Sequence, residues 1–448
     1  MYEYRNRTRS LFNNPTNSGP SVYGSRTPGK FLKDLAAGTD SLDIIFIGDS
    51  NTGSAIGGMW GYHAGFSQSL NDRNYPCYGI PMYPTMTGFN PAGYYALSGW
   101  RESAYLDIPN GNLASGNTSG GGTAYSVWSP STNWVRYGSA TASPPAKDDW
   151  AYIASGTYSA NYNAVELLAI TLYHRVVFGT FTFGSGSFQG RTRNYSSGAV
   201  YATGATQSTL GSSYSTTPYE YSFVPDGQYL NSSWSGPTAT GPCAILFHTI
   251  YCKRKGWSVT SHGYLSGSSS AQINTIMAGV GSTLLQEHLK AIRTRQIAAG
   301  GSGRVLLVTH SGINGNETAS DWTTCHLGIW NKYKAAWSAL GYPASDLAIV
   351  SFVGEPRNAD DSSSSGAAGN LIAVRAAANA MATSNPDMAV VDIKRLMNYQ
   401  QLVYVPTGGA NFYQAGSSNV HLSGGASSTT DGYTVVSNLI ISSLLASA

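Results

Sequence analysis

Charge is scarce in this sequence. Asp, Glu, Lys and Arg make up 11% of its 448 residues, where about 25% is usual for a soluble domain. The 26 basic and 23 acidic side chains leave a net charge of +3, too little to draw the chain to nucleic acid, and no nucleic-acid partner is expected. Cysteine is scarce too. Cys77, Cys243, Cys252 and Cys325 show no C-x-x-C spacing, which excludes a zinc site of the usual kind; they read as buried thiols, with disulfide pairing left open. No apolar run approaches the roughly 18 residues of a membrane span, and the first 20 residues lack the apolar stretch of a secretory signal. The expectation is a chain that is neither a membrane protein nor an obvious Sec substrate. Nor is a phosphate-binding loop present, because the Gly-rich tracts are not followed by Lys-Ser or Lys-Thr.

What the chain has instead is Gly (52) and Tyr (30), with abundant Ser, Thr and Asn. Hydroxyls, amides and aromatic faces thus stand where Lys and Glu would normally lie, as on secreted proteins or virion components. An exported type of surface without an export signal is explained by release on lysis as part of a phage particle. The expected location is the virion surface, with an extracellular location as the alternative. A 42% hydrophobic content suffices for a large core without a metal or disulfide staple.

Along the chain, one pattern is interrupted by another. Residues 1–40 hold few aliphatics, with Arg5, Arg7 and Arg9 between aromatics; they read as an N-terminal arm that docks on other virion proteins. "LDIIFIG" (42–48) is a short β-branched and aromatic run ended by Gly48, the pattern of a buried parallel strand. From 256 onward strand and helix alternate. "GWSVTSHG", "RVLLVTH", "LAIVSFV" and "MAVVDI" are strands separated by helical spacings, and the last segment, with Val435, Val436, Leu439, Ile440 and Leu444, is amphipathic. Five strands with intervening helices predict an α/β fold with an open five-stranded parallel sheet in three layers. Residues 100–255, rich in Gly, Ser, Thr and Tyr, carry short alternating runs such as "FGTFTFGSGSF". A connection of that length is a domain in its own right, and its pattern predicts an inserted all-β unit of sandwich or jelly-roll type. The core is then split into 41–99 and 256–448.

In open parallel sheets, ligands gather beyond the carboxyl ends of the strands, and "GDSN" places Ser50 there. Alone this is a common turn. The other strand ends carry "LSGSS" around Gly267, "GIN" around Asn314 and, before the final helix, "SSNVHLS" around His421. In this order the four motifs resemble the SGNH, or GDSL-type, hydrolase family across the chain outside the insertion. The resemblance implies that Ser50 is a nucleophile and His421 its base. It also implies an oxyanion hole formed by Ser50, Gly267 and Asn314, and no metal or organic cofactor. The chemistry agrees: a serine hydroxyl needs a base to take its proton, and His suits that near neutral pH. The tetrahedral oxyanion needs fixed donors, each worth about 3 kcal/mol.

Two positions depart from the family pattern. Ser418 stands three residues before His421, where the family has Asp, and Gly315 follows Asn314, where the family also has Asp. Ser418 itself, Asp431 or Glu355 are the candidates for orienting the imidazole. The expected activity is an acetyl or other carboxylic ester hydrolase acting on an acylated polysaccharide or cell-surface glycan. A catalytically silent decoration, fibre or adhesion protein that only binds is the alternative, as is a secreted esterase. A homo-oligomer in an assembly is expected. The insertion is reminiscent of carbohydrate-binding jelly rolls in some O-acetylesterases of the family, with Trp128, Trp134, Tyr137 and Trp234 as candidates for stacking on sugar rings. His262 and His310, at strand ends, read as satisfied polar residues. His326 beside Cys325 does not read as a Cys–His pair, since adjacent helical residues point in different directions.

Overall fold

The computed structural model describes residues 21–49, 51–52, 61–82, 95–98, 124–126, 134–137, 151–154, 157–163, 174–184, 187–194, 199–208, 211–214, 219–224, 229–235, 243–263, 269–279, 282–311, 318–354, 371–399 and 432–448. The candidate site residues Ser50, Gly267, Asn314, Ser418, His421 and Asp431, with Glu355, lie outside these.

The core runs β1 (Val22–Gly24), α1 (Thr27–Ala36), β2 (Leu42–Gly48) and α2 (Tyr62–Asp72), then, after the insertion, β3 (Trp257–Gly263), α3 (Ser270–Gly279) and α4 (Ser282–Ala298). It continues through β4 (Val305–His310), α5 (Ala319–Ala339), β5 (Leu347–Val353), α6 (Leu371–Ser384), β6 (Met388–Asp392), α7 (Ile393–Tyr399) and α8 (Gly432–Ser447). The sheet order is β1-β6-β5-β4-β2-β3. The five strands expected from the sequence are all present and all parallel. Every residue of β2, β4, β5 and β6 is buried, which explains why these strands read as continuous apolar runs rather than alternating ones.

Side chains alternate between the two faces of a strand, and β2 shows what each face meets. Phe46 packs edge-on against Phe66 of α2 at 5.1 Å between ring centroids. Asp43, an odd number of residues away, points to α4, where Arg295 Nη2 lies 2.5 Å from its Oδ1. Helices therefore cover both faces, giving three layers. A carboxylate buried on a central strand requires donors, and Asp43 has three. Besides Arg295, Gln296 Nε2 donates at 2.8 Å, and the Tyr78 hydroxyl donates as well. Burial, reinforced by the Asp43 charge, drives the Tyr78 hydroxyl well above its ordinary pKa, so it remains a donor.

The N-terminal segment departs from its expectation. Residues 21–40 are not an arm but part of the core: β1 pairs antiparallel with β6, and Phe31, Leu32 and Leu35 of α1 are buried. Sparse aliphatics concealed this, because three apolar residues at i, i+1 and i+4 already make a helical stripe. The expected virion-docking arm can involve only residues 1–20, outside the described residues.

Between β2 and β3 the described strands form two antiparallel sheets, of six and eight strands. Their central ladders are Ser187–Asn194 with Tyr229–Ser235 and His174–Gly184 with Cys243–Cys252. The sheets face each other at one end, where the Tyr201 and Phe223 rings stack at 5.8 Å and Thr192 Oγ1 lies 2.8 Å from the Tyr221 hydroxyl. The chain leaves and re-enters the core side by side. Gly79–Met82 pairs with His248–Tyr251, Cys252 N–H donates to Tyr78 O at 2.9 Å, and Tyr78 N–H donates to Trp257 O at 2.9 Å. Cys77, Cys252 and Cys325 are buried, and burial pushes the Cys77 thiol up to about 12.

Candidate active site

The strand order sets the site. β2, which leads to Ser50, lies between β3, which leads to Gly267, and β4, which leads to Asn314. In register, Gly48 is opposite Gly263 on one side and His310 on the other, so three of the four motif segments depart from the same edge of the sheet. The fourth is tied to it from its far end. Tyr433, near the start of α8 and 12 residues after His421, donates its hydroxyl to Asn51 Oδ1 at 2.5 Å. The described flanks of all four motifs thus meet at the carboxyl edge, although the residues proposed to do the chemistry lie outside the described residues.

The residues on either side of Ser50 are pinned by local bonds. Asp49 N–H donates to His310 O at 3.2 Å, Thr52 N–H donates to Asp49 O at 3.0 Å, and Tyr62 N–H donates to Asn51 O at 2.8 Å. The Asp49 carboxylate turns back on its own chain, accepting the Asn51 N–H at 2.9 Å, the bond that makes Asp a turn former. Gly48 is required here: a β-carbon would lie 2.0 Å from His310 O and 2.2 Å from Thr52 Oγ1. The close approach of His310 and Thr52 therefore leaves room only for glycine at position 48.

Two histidines stand close to this turn. His310 Nδ1 lies 3.1 Å from Asp49 Oδ1 and its ring packs 5.2 Å from Tyr62, so its reading as a partnered polar residue holds. His63, in the first turn of α2, donates from Nδ1 to Thr52 O at 2.6 Å. Burial lowers its pKa to about 4, against the opposing effect of the Thr52 bond; it is a neutral clamp on the turn. His262 has no described side chain. Asp49 Oδ2 and Asn51 Nδ2 are buried without a hydrogen-bond partner among the described residues.

Sequence reasoning missed the Asp49–His310 contact, the Tyr433–Asn51 bond and the role of His326. Asp49 and His310 were both visible as residues at strand ends, but pairing them needs the strand order. His326, on α5, is fully buried and faces Thr309 Oγ1 at 2.6 Å from Nδ1 and Ser311 Oγ at 3.0 Å from Nε2. Cys325 beside it takes no part in those contacts, as the helical geometry requires.

By sequence, no family model and no curated protein matches the chain. By structure, the chain is similar to a peptidoglycan O-acetylesterase, with a TM-score of 0.54 at 14% identity over 96% of this chain and 100% of that one. It also aligns with the protein YxiM from Bacillus subtilis at 11% identity over 82% of this chain and 97% of that one, with a TM-score of 0.31. A xylanase from Clostridium thermocellum, solved with xylohexaose, aligns at 10% identity over 45% of this chain and 63% of that one, with a TM-score of 0.18. The last two superpose too loosely to bear on the fold. The first shares its architecture over nearly the whole length.

Proposed function

We propose that this chain, whose fold is that of the SGNH-type hydrolases, is a serine esterase that removes O-acetyl groups from a polysaccharide. In the proposed reaction Ser50 Oγ attacks the acetyl carbonyl while His421 takes its proton. The oxyanion is held by the N–H groups of Ser50 and Gly267 and the amide of Asn314. Collapse expels the sugar oxygen, which recovers the proton from His421, and water then releases acetate from acyl-Ser50 by the same base. The observation that carries this reading is the strand order. The segment bearing the nucleophile is flanked on one side by the segment bearing Gly267 and on the other by that bearing Asn314, as a shared oxyanion hole requires.

The acetylesterase with the same fold supports this substrate class, as do the two β-sheets inserted beside the core, whose Trp134, Tyr137 and Trp234 lie on strands; Trp128 lies outside the described residues. The low-charge surface supports a place on the virion, where such an enzyme would trim a host glycan. Immunodetection in purified particles tests that place, and absence from them would leave the extracellular alternative.

The test of the activity is acetate release from p-nitrophenyl acetate and from acetylated polysaccharides. Wild type should hydrolyse them, Ser50→Ala should not, and the two should melt alike. If wild type and Ser50→Ala are equally inert, the silent, binding-only alternative stands; Ser418 and Gly315 in place of the family's acids are what favour it. A lost orienting acid can cost about 10⁴ in turnover. Ser418→Asp should therefore raise kcat, and an unchanged kcat would show that another group already orients His421.

A further inference from the structure

Beneath the carboxyl edge, five polar side chains form one buried line. Ser351 Oγ of β5 lies 2.9 Å from Thr309 Oγ1 of β4, which lies 2.6 Å from His326 Nδ1. On the other side of the ring, Nε2 lies 3.0 Å from Ser311 Oγ, which lies 2.5 Å from Ser270 Oγ. All five residues are buried. The Trp322 ring stacks on the imidazole at 4.0 Å and fixes its plane. Desolvation, with the nearby His310 acting in the same sense, keeps His326 well below its ordinary pKa. A neutral imidazole has one donor and one acceptor nitrogen, so it transmits a single direction of donation along the line.

Nothing in packing calls for this line. The rest of the buried face of α5 is largely apolar or aromatic, with Trp322, Ile329, Tyr333 and Trp337, and a buried polar network is on average no more stable than an apolar one of the same shape. Its end points are informative. Ser311 precedes Asn314 by three residues, and Ser270 follows Gly267 by three. The Ser311–Ser270 bond therefore ties the roots of the two oxyanion segments to each other, and the ring fastens that pair through Thr309 and Ser351 to the sheet.

We propose that His326 is a positioning residue: by bridging Ser311–Ser270 to Thr309–Ser351 it holds the segments that carry Asn314 and Gly267 in register with Ser50. The catalytic consequence rests on the esterase reading above. Oxyanion donors act only when held in place before the charge develops, and a misplacement of about 1 Å costs on the order of 100-fold in rate.

The experiment compares full-length wild type, His326→Asn and His326→Gln. Steady-state hydrolysis of p-nitrophenyl acetate and hydrogen exchange of peptides covering 264–270 and 311–317 are measured on each. A Gln amide reaches the Nε2 position and keeps Ser311; an Asn amide does not. His326→Asn should lower kcat about 10- to 100-fold with KM within about twofold, and exchange should quicken in both segments while β4 and β5 stay protected. His326→Gln should recover much of kcat. The proposal is overturned if His326→Asn melts earlier but leaves exchange in the two segments unchanged, or if exchange rises equally throughout β4 and β5. If wild type and Ser50→Ala are equally inert, the esterase reading fails, and the exchange comparison alone still decides whether His326 holds the two segments.

Discussion

Leu32→Ala is the sharpest test of where the folded core begins. Leu32 is 0% exposed, with Phe31 and Leu35 buried beside it, on a helix fastened at both ends. Upstream, β1 runs against β6 so closely that a β-carbon on Gly24 would lie 2.2 Å from Met388 O. Downstream, Lys33 Nζ donates to Ala448 O at 2.7 Å. A helix held this way cannot collapse into the space left by a lost side chain, so the substitution should cost the transfer energy and most of the cavity term, about 3 kcal/mol. Alanine adds no helix-propensity penalty. The matched control is Asp34→Ala on the same helix. It breaks the Asp34–Arg304 ion pair at 2.5 Å, but the side chains are 43% and 24% exposed, and such a pair is worth at most about 1 kcal/mol. Urea denaturation followed by tryptophan fluorescence reads the difference, and thermal melts should fall by about 3–5 °C for Leu32→Ala. If Leu32→Ala lies within about 0.5 kcal/mol of wild type, residues 21–40 are a dispensable arm and the burial argument is refuted.

Arg295→Met should cost about 3–5 kcal/mol by leaving the Asp43 carboxylate buried without its cation, and Asp43→Asn in the same chain should recover most of it; an unchanged melting temperature in the single variant would refute the pairing. Stability should also fall on acidification. The folded value of His63 is depressed to about 4, so between about pH 6.5 and 4 the unfolded chain binds a proton that the folded chain refuses. Each such histidine removes about 1.4 kcal/mol per pH unit, and the depressed His326 acts with the same sign. His63→Gln should flatten the dependence of urea-derived stability on pH, and an unaltered slope would refute a neutral buried His63.

Much of the core was legible because fully buried parallel strands announce themselves as unbroken apolar runs: "LDIIFIG", "RVLLVTH", "LAIVSFV" and "MAVVDI" all proved to be strands. β1 was not, since a three-residue edge strand carries too little pattern to distinguish it from a turn. At the candidate site, residue types at strand ends pointed to the carboxyl edge of the sheet, where the described flanks of the four motifs lie. Which ends are neighbours was invisible, because that depends on strand order and not on spacing. The Tyr433–Asn51 bond joins residues 382 apart in sequence, and no local signal could have anticipated it. His326 does not form a pair with Cys325; its partners are the hydroxyls of Thr309 on β4 and Ser311 just beyond it.

The paired crossing at Gly79–Met82 and His248–Tyr251 makes the inserted sheets a cassette. Closing a longer loop is costly only logarithmically, about 0.6 kcal/mol for each doubling of length, and here the closure is already made by the ladder at the entrance. Whatever hangs beyond Met82 and His248 can lengthen, shorten or be exchanged while the α/β core meets the same two strand ends.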